Sequence, residues 1–73
     1  MGDAIMTPEH IKSIRHNADL SVRGLMSILR IRDRKTVMRW ETGEVPVTGP
    51  ASVILEMIES GELPARYYPE TRR

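Results

Sequence analysis

The chain of 73 residues contains no cysteine and a single tryptophan. Without cysteine it forms neither disulfides nor thiolate metal sites, and this composition fits a reducing cytoplasm. No run of about 18 or more apolar residues is present, so the sequence predicts no membrane span and no membrane partner. The length allows one domain, and so small a core makes a second subunit a useful source of stability.

Residue patterns typical of enzymes are also missing. His10 and His16 lie six positions apart, which is roughly 240° around a helix, so they cannot share a metal ion. No glycine-rich phosphate loop and no nucleophile beside a base is found. Glu56 and Glu59 share a helix face, which a solvated exterior explains. The sequence therefore predicts no enzyme, no cofactor and no metal site.

Charge is distributed unevenly along the chain, although the net charge is only +1. Residues 12–39 contain eight basic and two acidic side chains, whereas residues 41–62 contain five glutamates and no base. Such asymmetry is a hint of a basic binding face, and a chance distribution over a solvated surface is the competing explanation.

The apolar residues recur at helical spacing, and the chain is predicted to be all-α, with four short helices or five. Capping residues and helix breakers mark the ends of the predicted helices. The predicted organisation is a loose leader over residues 1–6, a helical domain over 7–64 and a tail over 65–73. The first helix is predicted to begin at Thr7-Pro8 and to end at 17–19, and Ser21 is predicted to cap the second. A turn follows at 30–32, and Asp33 caps a third helix that ends before Gly43. The fourth helix is predicted to begin at Thr48 and Pro50 and to end at Gly61 and Pro64.

The third predicted helix divides into two faces. At about 100° per residue, Trp40 and Val37 share one side. The opposite side contains no acid and is formed by Arg34, Lys35, Met38 and Arg39. A helix fits the major groove of DNA, where arginine or lysine donates to guanine and methionine contacts a thymine methyl. An ordinary surface helix with a basic exterior explains the same pattern equally well.

The neighbouring residues resemble a known family. The resemblance lies in Leu20-Ser21, Leu25 and Ile28-Leu29, followed by Thr36-Val37-Met38-Arg39-Trp40-Glu41-Thr42-Gly43. Over roughly residues 8–60 the chain resembles the Cro/phage-repressor helix-turn-helix family. The following Pro46-Val47-Thr48-Gly49-Pro50 looks like the DNA-binding half of some antitoxins and small phage regulators. In this family the second and third helices form the motif, and the third enters the major groove.

The resemblance implies roles for particular residues. Arg34, Lys35, Met38 and Arg39 are expected to reach base edges. Arg15 occupies the place of a family arginine that pairs with the glutamate found here as Glu41, so the two are expected to form a structural ion pair. The turn usually has glycine where Arg30 stands, and a base is common where Glu44 stands. Phosphate contacts are predicted from Arg23, Ser27, Arg30 and Arg32.

Core and dimer surfaces follow from the apolar positions. The predicted core comprises Ile11, Ile14, Leu25, Ile28, Leu29, Val37 and Trp40. The fourth helix offers more apolar surface than one side of so small a domain can cover. It therefore predicts a homodimer through Val53, Ile54, Leu55, Met57 and Ile58. The competing explanation is that Leu63 and Tyr67 cover that surface in the monomer.

The function predicted from sequence is a sequence-specific regulator of transcription that binds double-stranded DNA. It is expected to be a repressor, dimeric on a palindromic operator and cytoplasmic, of the phage or toxin–antitoxin type, with a toxin or other protein as an optional partner. The alternative is a small helical protein-interaction module, an inhibitor or adaptor that uses Met26, Met38 and the fourth helix.

Overall fold

Four α-helices and one short 3-10 turn make up the domain. The computed structural model describes residues 6–69, and within that range it contains no strand, which confirms the all-helical prediction. The residues at 1–5 and 70–73, predicted as most of the leader and the end of the tail, lie outside the described range. The elements are α1 Pro8–Asn17, α2 Val22–Leu29, α3 Arg34–Thr42, α4 Pro50–Ser60 and the 3-10 turn Ala65–Tyr67.

Side-chain caps begin the first three helices, as predicted. Thr7 Oγ1 accepts a hydrogen bond from the His10 N–H at 3.1 Å, and Ser21 Oγ accepts one from the Gly24 N–H at 3.0 Å. Asp33 Oδ1 accepts one from the Lys35 N–H at 2.9 Å. Each cap satisfies an N–H that has no partner inside its helix, which fixes where the helix begins.

The start of α4 differs from the prediction. Gly49 is the cap residue, at φ 66°, and no side chain caps the helix. Thr48 therefore has no capping role, whereas Pro50 occupies the first turn as predicted. Proline suits this place because its missing N–H would be unpaired there in any case.

Arg30 ends α2 in the left-handed conformation, with φ 61° and ψ 38°. Its N–H bonds back to the carbonyls of Met26 and Ser27, so the strained backbone closes the helix. Gly43 and Gly61 end α3 and α4 in the same conformation without a Cβ, at φ 86° and 80°. The left-handed conformation costs a residue with a Cβ roughly 1–2 kcal/mol, and glycine avoids this cost.

We therefore expect Arg30→Gly to stabilise the domain. Glycine's greater freedom in the unfolded chain offsets part of the gain, which leaves about 0.5–1 kcal/mol. In a domain of this size that corresponds to a rise of roughly 2–8 °C in Tm. Thermal unfolding followed by circular dichroism measures it, with Arg66→Gly outside the α-helices as the control. An unchanged or lowered Tm would mean that the Arg30 side chain contributes more than its backbone conformation costs.

The core lies where α1 packs on α3 and α4, and α2 packs on α3. Leu25, Val37 and Leu55 are completely buried at its centre. Of the predicted core, Leu29 alone is half-buried rather than buried, because it lies at the core's edge at the end of α2. The buried hydrophobic residues are Met6, Ile11, Ile14, Leu20, Leu25, Ile28, Val37, Trp40, Val47, Leu55 and Ile58.

Both ends of the described chain are packed more closely than predicted. Met6, assigned to the loose leader, is only 8% exposed and belongs to the core. Tyr68, assigned to the tail, packs against the core together with Leu63. Met6 and Tyr68 therefore contribute to the packing of the core, although both lie outside the predicted range of 7–64.

The prediction for a dimer surface on α4 is partly wrong. Leu55 is fully buried and Ile58 is 6% exposed, because both face the monomer's own core. Ile54 and Met57 are half-buried, and Val53 alone is well exposed, at 55%. The apolar residues of α4 thus serve mainly the folding of one chain.

Candidate nucleic-acid interface

A buried ion pair fixes α3 against α1. Arg15 Nε donates to Glu41 Oε2 at 2.7 Å, and Arg15 Nη2 donates to Glu41 Oε1 at 3.1 Å. Arg15 Nη1 also donates to the Leu20 carbonyl at 3.1 Å, just before α2. The two side chains are only 14% and 7% exposed. Because Arg15 bonds both to Glu41 and to the Leu20 carbonyl, it holds α3 in a fixed orientation relative to the start of α2. Arg15 and Glu41 are the two residues that the resemblance implies as an ion pair.

The opposite sides of α3 face the core and the solvent. Val37 is fully buried and Trp40 is 7% exposed, as the helical spacing predicts. The residues expected to reach bases are all exposed: Arg34, Lys35, Met38 and Arg39. No acidic side chain of α3 interrupts this basic face, because Glu41 is buried on the core side.

A cleft between α2 and α3, here called the arginine cleft, is lined by four arginines, of which Arg15 is already paired with Glu41. Arg23, Arg32 and Arg34 line a depression of about 430 Å³, which is also lined by Arg15, Ser21, Val22 and Met26. Within residues 6–69, Arg23, Arg32 and Arg34 form no ion pair. Three cations around one cleft without a counter-charge create a positive potential that suits a phosphate group.

Two of the predicted phosphate-contacting residues lie apart from this cleft. Arg30 lines a separate apolar groove with residues of α4. Ser27 is exposed on α2 and does not line the cleft. The structure therefore brings together Arg23 and Arg32 of the predicted phosphate set and adds Arg34 to them.

Glu44 lies close to the basic face. Its carboxylate Oε1 is 3.9 Å from Arg39 Nε, and both side chains are substantially exposed, at 66% and 49%. Such an exposed pair contributes at most about 1 kcal/mol, so it leaves Arg39 free to rearrange toward a stronger partner.

His10 has a partner that the sequence did not reveal. Its Nε2 lies 2.8 Å from Glu59 Oε2, which links α1 to α4, so Glu59 is not simply solvated as predicted. No local signal marks this contact, because 49 residues separate the two positions. Across residues 6–69, no group of three or more histidine, aspartate or glutamate side chains is placed to hold a metal ion.

Comparison with protein-family models, with curated proteins and with solved structures finds no match to this chain. In the part of the chain that the structure describes, no helix is both long and apolar enough to cross a membrane.

Proposed function

We propose that this protein binds double-stranded DNA sequence-specifically and regulates transcription as a helix-turn-helix protein of the Cro/repressor kind. The observation that carries the proposal is the exposed basic face of α3, with Arg34, Lys35, Met38 and Arg39 opposite a buried Val37. In this proposal α2 and α3 form the motif, and α3 lies in the major groove.

The four exposed side chains of α3 match what the major groove offers. Arginine can donate two hydrogen bonds to guanine O6 and N7, and lysine can donate to the same atoms. The Met38 side chain, 41% exposed, supplies an apolar contact for a thymine methyl group. We therefore assign base recognition to this face.

The arginine cleft supports the same orientation, since it lies next to the start of α3. Arg34 belongs both to the cleft and to the first turn of the helix. With α3 in the major groove, Arg23 and Arg32 would face the phosphates at the groove's edge. Such contacts supply affinity and position the protein, but they carry no sequence information.

The proposal includes dimerisation on DNA but not in free solution. With Leu55 and Ile58 buried, the exposed Val53 offers far less than the surface of about 1,200 Å² or more that a stable interface buries. We therefore propose a monomer in free solution that pairs on two half-sites of a palindromic operator, which lie about 34–36 Å apart. Occupying the major groove at an operator makes repression the simplest outcome.

The alternative, a protein-interaction module that uses Met26, Met38 and the fourth helix, has less support from its two methionines. Met26 is half-buried in the arginine cleft, and Met38 lies on the exposed face of α3 that also contains Arg34, Lys35 and Arg39. Both methionines therefore lie beside basic residues, which suits a contact with DNA better than an apolar protein interface.

Replacing Arg39 and Arg32 separately tests the proposal. A cognate duplex is first selected from a random library with the full chain. Arg39→Ala should then weaken the cognate duplex by roughly 10- to 100-fold more than random DNA, because a bidentate guanine contact discriminates by roughly 1–3 kcal/mol. Arg32→Ala should weaken both duplexes alike and reduce the salt slope by about one phosphate. Fluorescence anisotropy over a series of salt concentrations measures both effects.

The two variants control for each other, because each removes one exposed positive charge. If the ratio of cognate to random duplex affinity fell equally in the two variants, the assignment of base recognition to α3 would be wrong. A selection that enriches no sequence would contradict specific binding altogether.

A further inference from the structure

A second depression, here called the apolar groove, lies between the end of α2, α4 and the segment that follows α4. Its volume is about 460 Å³, within the range of sites that bind ligands. Its charged lining residues are Arg30 and Arg66, and no carboxylate lines it. The rest of the wall is formed by apolar and aromatic side chains: Ile28, Ile54, Met57, Leu63, Pro64 and Tyr67.

The two arginines of the groove have no counter-charge. Within residues 6–69, neither forms an ion pair. The Arg66 guanidinium carbon lies 4.7 Å from the centre of the Tyr67 ring, and Arg66 Nη2 donates to the Tyr67 hydroxyl at 3.3 Å. The aromatic ring thus holds one positive charge beside an apolar surface, while the turn after α2 provides the other.

We propose that the apolar groove docks an acidic amphipathic helix of a partner protein. Apolar side chains on one face of that helix would enter the groove beside Ile54 and Met57, which is the common mode by which helices bind grooves. Carboxylates beside that face would pair with Arg30 and Arg66. The apolar anchors supply most of the affinity in such contacts, and the charges select the partner.

The groove's composition argues against the two other occupants that this chain could have. A DNA duplex brings phosphates but few apolar groups, so it would leave the apolar wall uncovered. A second copy has no apolar stripe to insert, because Val53 is the one large apolar side chain of α4 that is mostly exposed. The proposal stands apart from DNA binding, since Arg30 and Arg66 do not line the arginine cleft.

A synthetic helical peptide of about 16 residues, with leucines at i, i+3 and i+7 and glutamates beside them, serves as the probe. One matched peptide replaces the glutamates with lysines, and another replaces the leucines with serines. Binding to the full chain is measured by fluorescence anisotropy, and its position is mapped from the methyl NMR signals of Ile54 and Met57. Two double variants are compared with the unaltered chain: Arg30→Glu/Arg66→Glu and Arg34→Ala/Arg39→Ala.

We expect only the leucine–glutamate peptide to bind and to shift the Ile54 and Met57 methyl signals. Reversing both groove charges should weaken it by roughly tenfold or more, because two attractions become repulsions. The Arg34→Ala/Arg39→Ala variant should bind it within about twofold of the unaltered chain. Loss of DNA binding in that variant with retained peptide binding separates this proposal from the proposed function.

Four results would overturn the proposal. The first is that the leucine–glutamate peptide does not bind, and the second is that the serine peptide binds equally well. The third is that peptide binding is lost only when the α3 arginines are removed. The fourth is that the chain sediments as a dimer and that the Arg30→Glu/Arg66→Glu variant does not. The last result would assign the groove to a second copy of this chain.

Discussion

Trp40→Ala is expected to lower the free energy of unfolding by roughly 3–5 kcal/mol, the usual cost of truncating a large buried aromatic side chain. Trp40 is 7% exposed and lies in the core with Val37. Natural domains are stable by only about 5–15 kcal/mol, and small ones lie toward the lower end. The variant should therefore be largely unfolded near 37 °C. Urea denaturation followed by circular dichroism measures the loss.

Met38→Ala on the same helix is the matched control. Met38 is 41% exposed, so its truncation should change stability by no more than about 0.5 kcal/mol. It should instead weaken binding to a cognate duplex that contains thymine at the contacted position. Equal destabilisation by the two substitutions would mean that α3 does not present its Trp40 side to the core.

Arg15→Met is expected to cost roughly 3–5 kcal/mol, because it leaves the buried Glu41 carboxylate without its partner. The substitution also removes the donor to the Leu20 carbonyl. Affinity for DNA per folded molecule should fall much less than stability does, since the guanidinium of Arg15 is engaged inside the domain. Denaturation and anisotropy on the same sample separate the two effects.

The double variant Arg15→Met/Glu41→Met supplies the control for this prediction. Replacing both partners with apolar side chains of similar size removes the unpaired charge, so the double variant should recover most of the stability that each single change loses. Strict additivity of the two losses would contradict a direct pairing. A larger effect of Arg15→Met on DNA affinity than on stability would move Arg15 to the binding surface.

Features set by nearby residues were predicted best from the sequence. Thr7, Ser21 and Asp33 cap their helices because each side chain reaches an N–H two or three residues further on. The two faces of α3 follow from helical spacing alone. The Arg15–Glu41 pair, which spans 26 positions, was predicted only through the family resemblance.

Features that depend on how the helices pack were predicted less well. Helical spacing shows that α4 has an apolar face but not which surface covers it, so the sequence predicts a dimer contact for Leu55 and Ile58, which in fact face the chain's own core. The His10–Glu59 contact and the apolar groove join distant segments, and no spacing rule reveals them. The sequence places Arg30 and Arg32 in one turn and so predicts the same role for both, whereas the left-handed backbone at Arg30 turns the chain between them.

The proposed DNA-binding role rests on α3, and one comparison tests it most directly. The variant Arg34→Ala/Lys35→Ala/Arg39→Ala is compared with Lys12→Ala/Arg30→Gly/Arg66→Ala, which removes the same net charge from other exposed places. The ratio of cognate to random duplex affinity is measured at one fixed salt concentration by anisotropy. We expect the first variant to lose at least about 100-fold in this ratio and the second to stay within about threefold of the unaltered chain. Equal ratios in the two variants would contradict base recognition by α3.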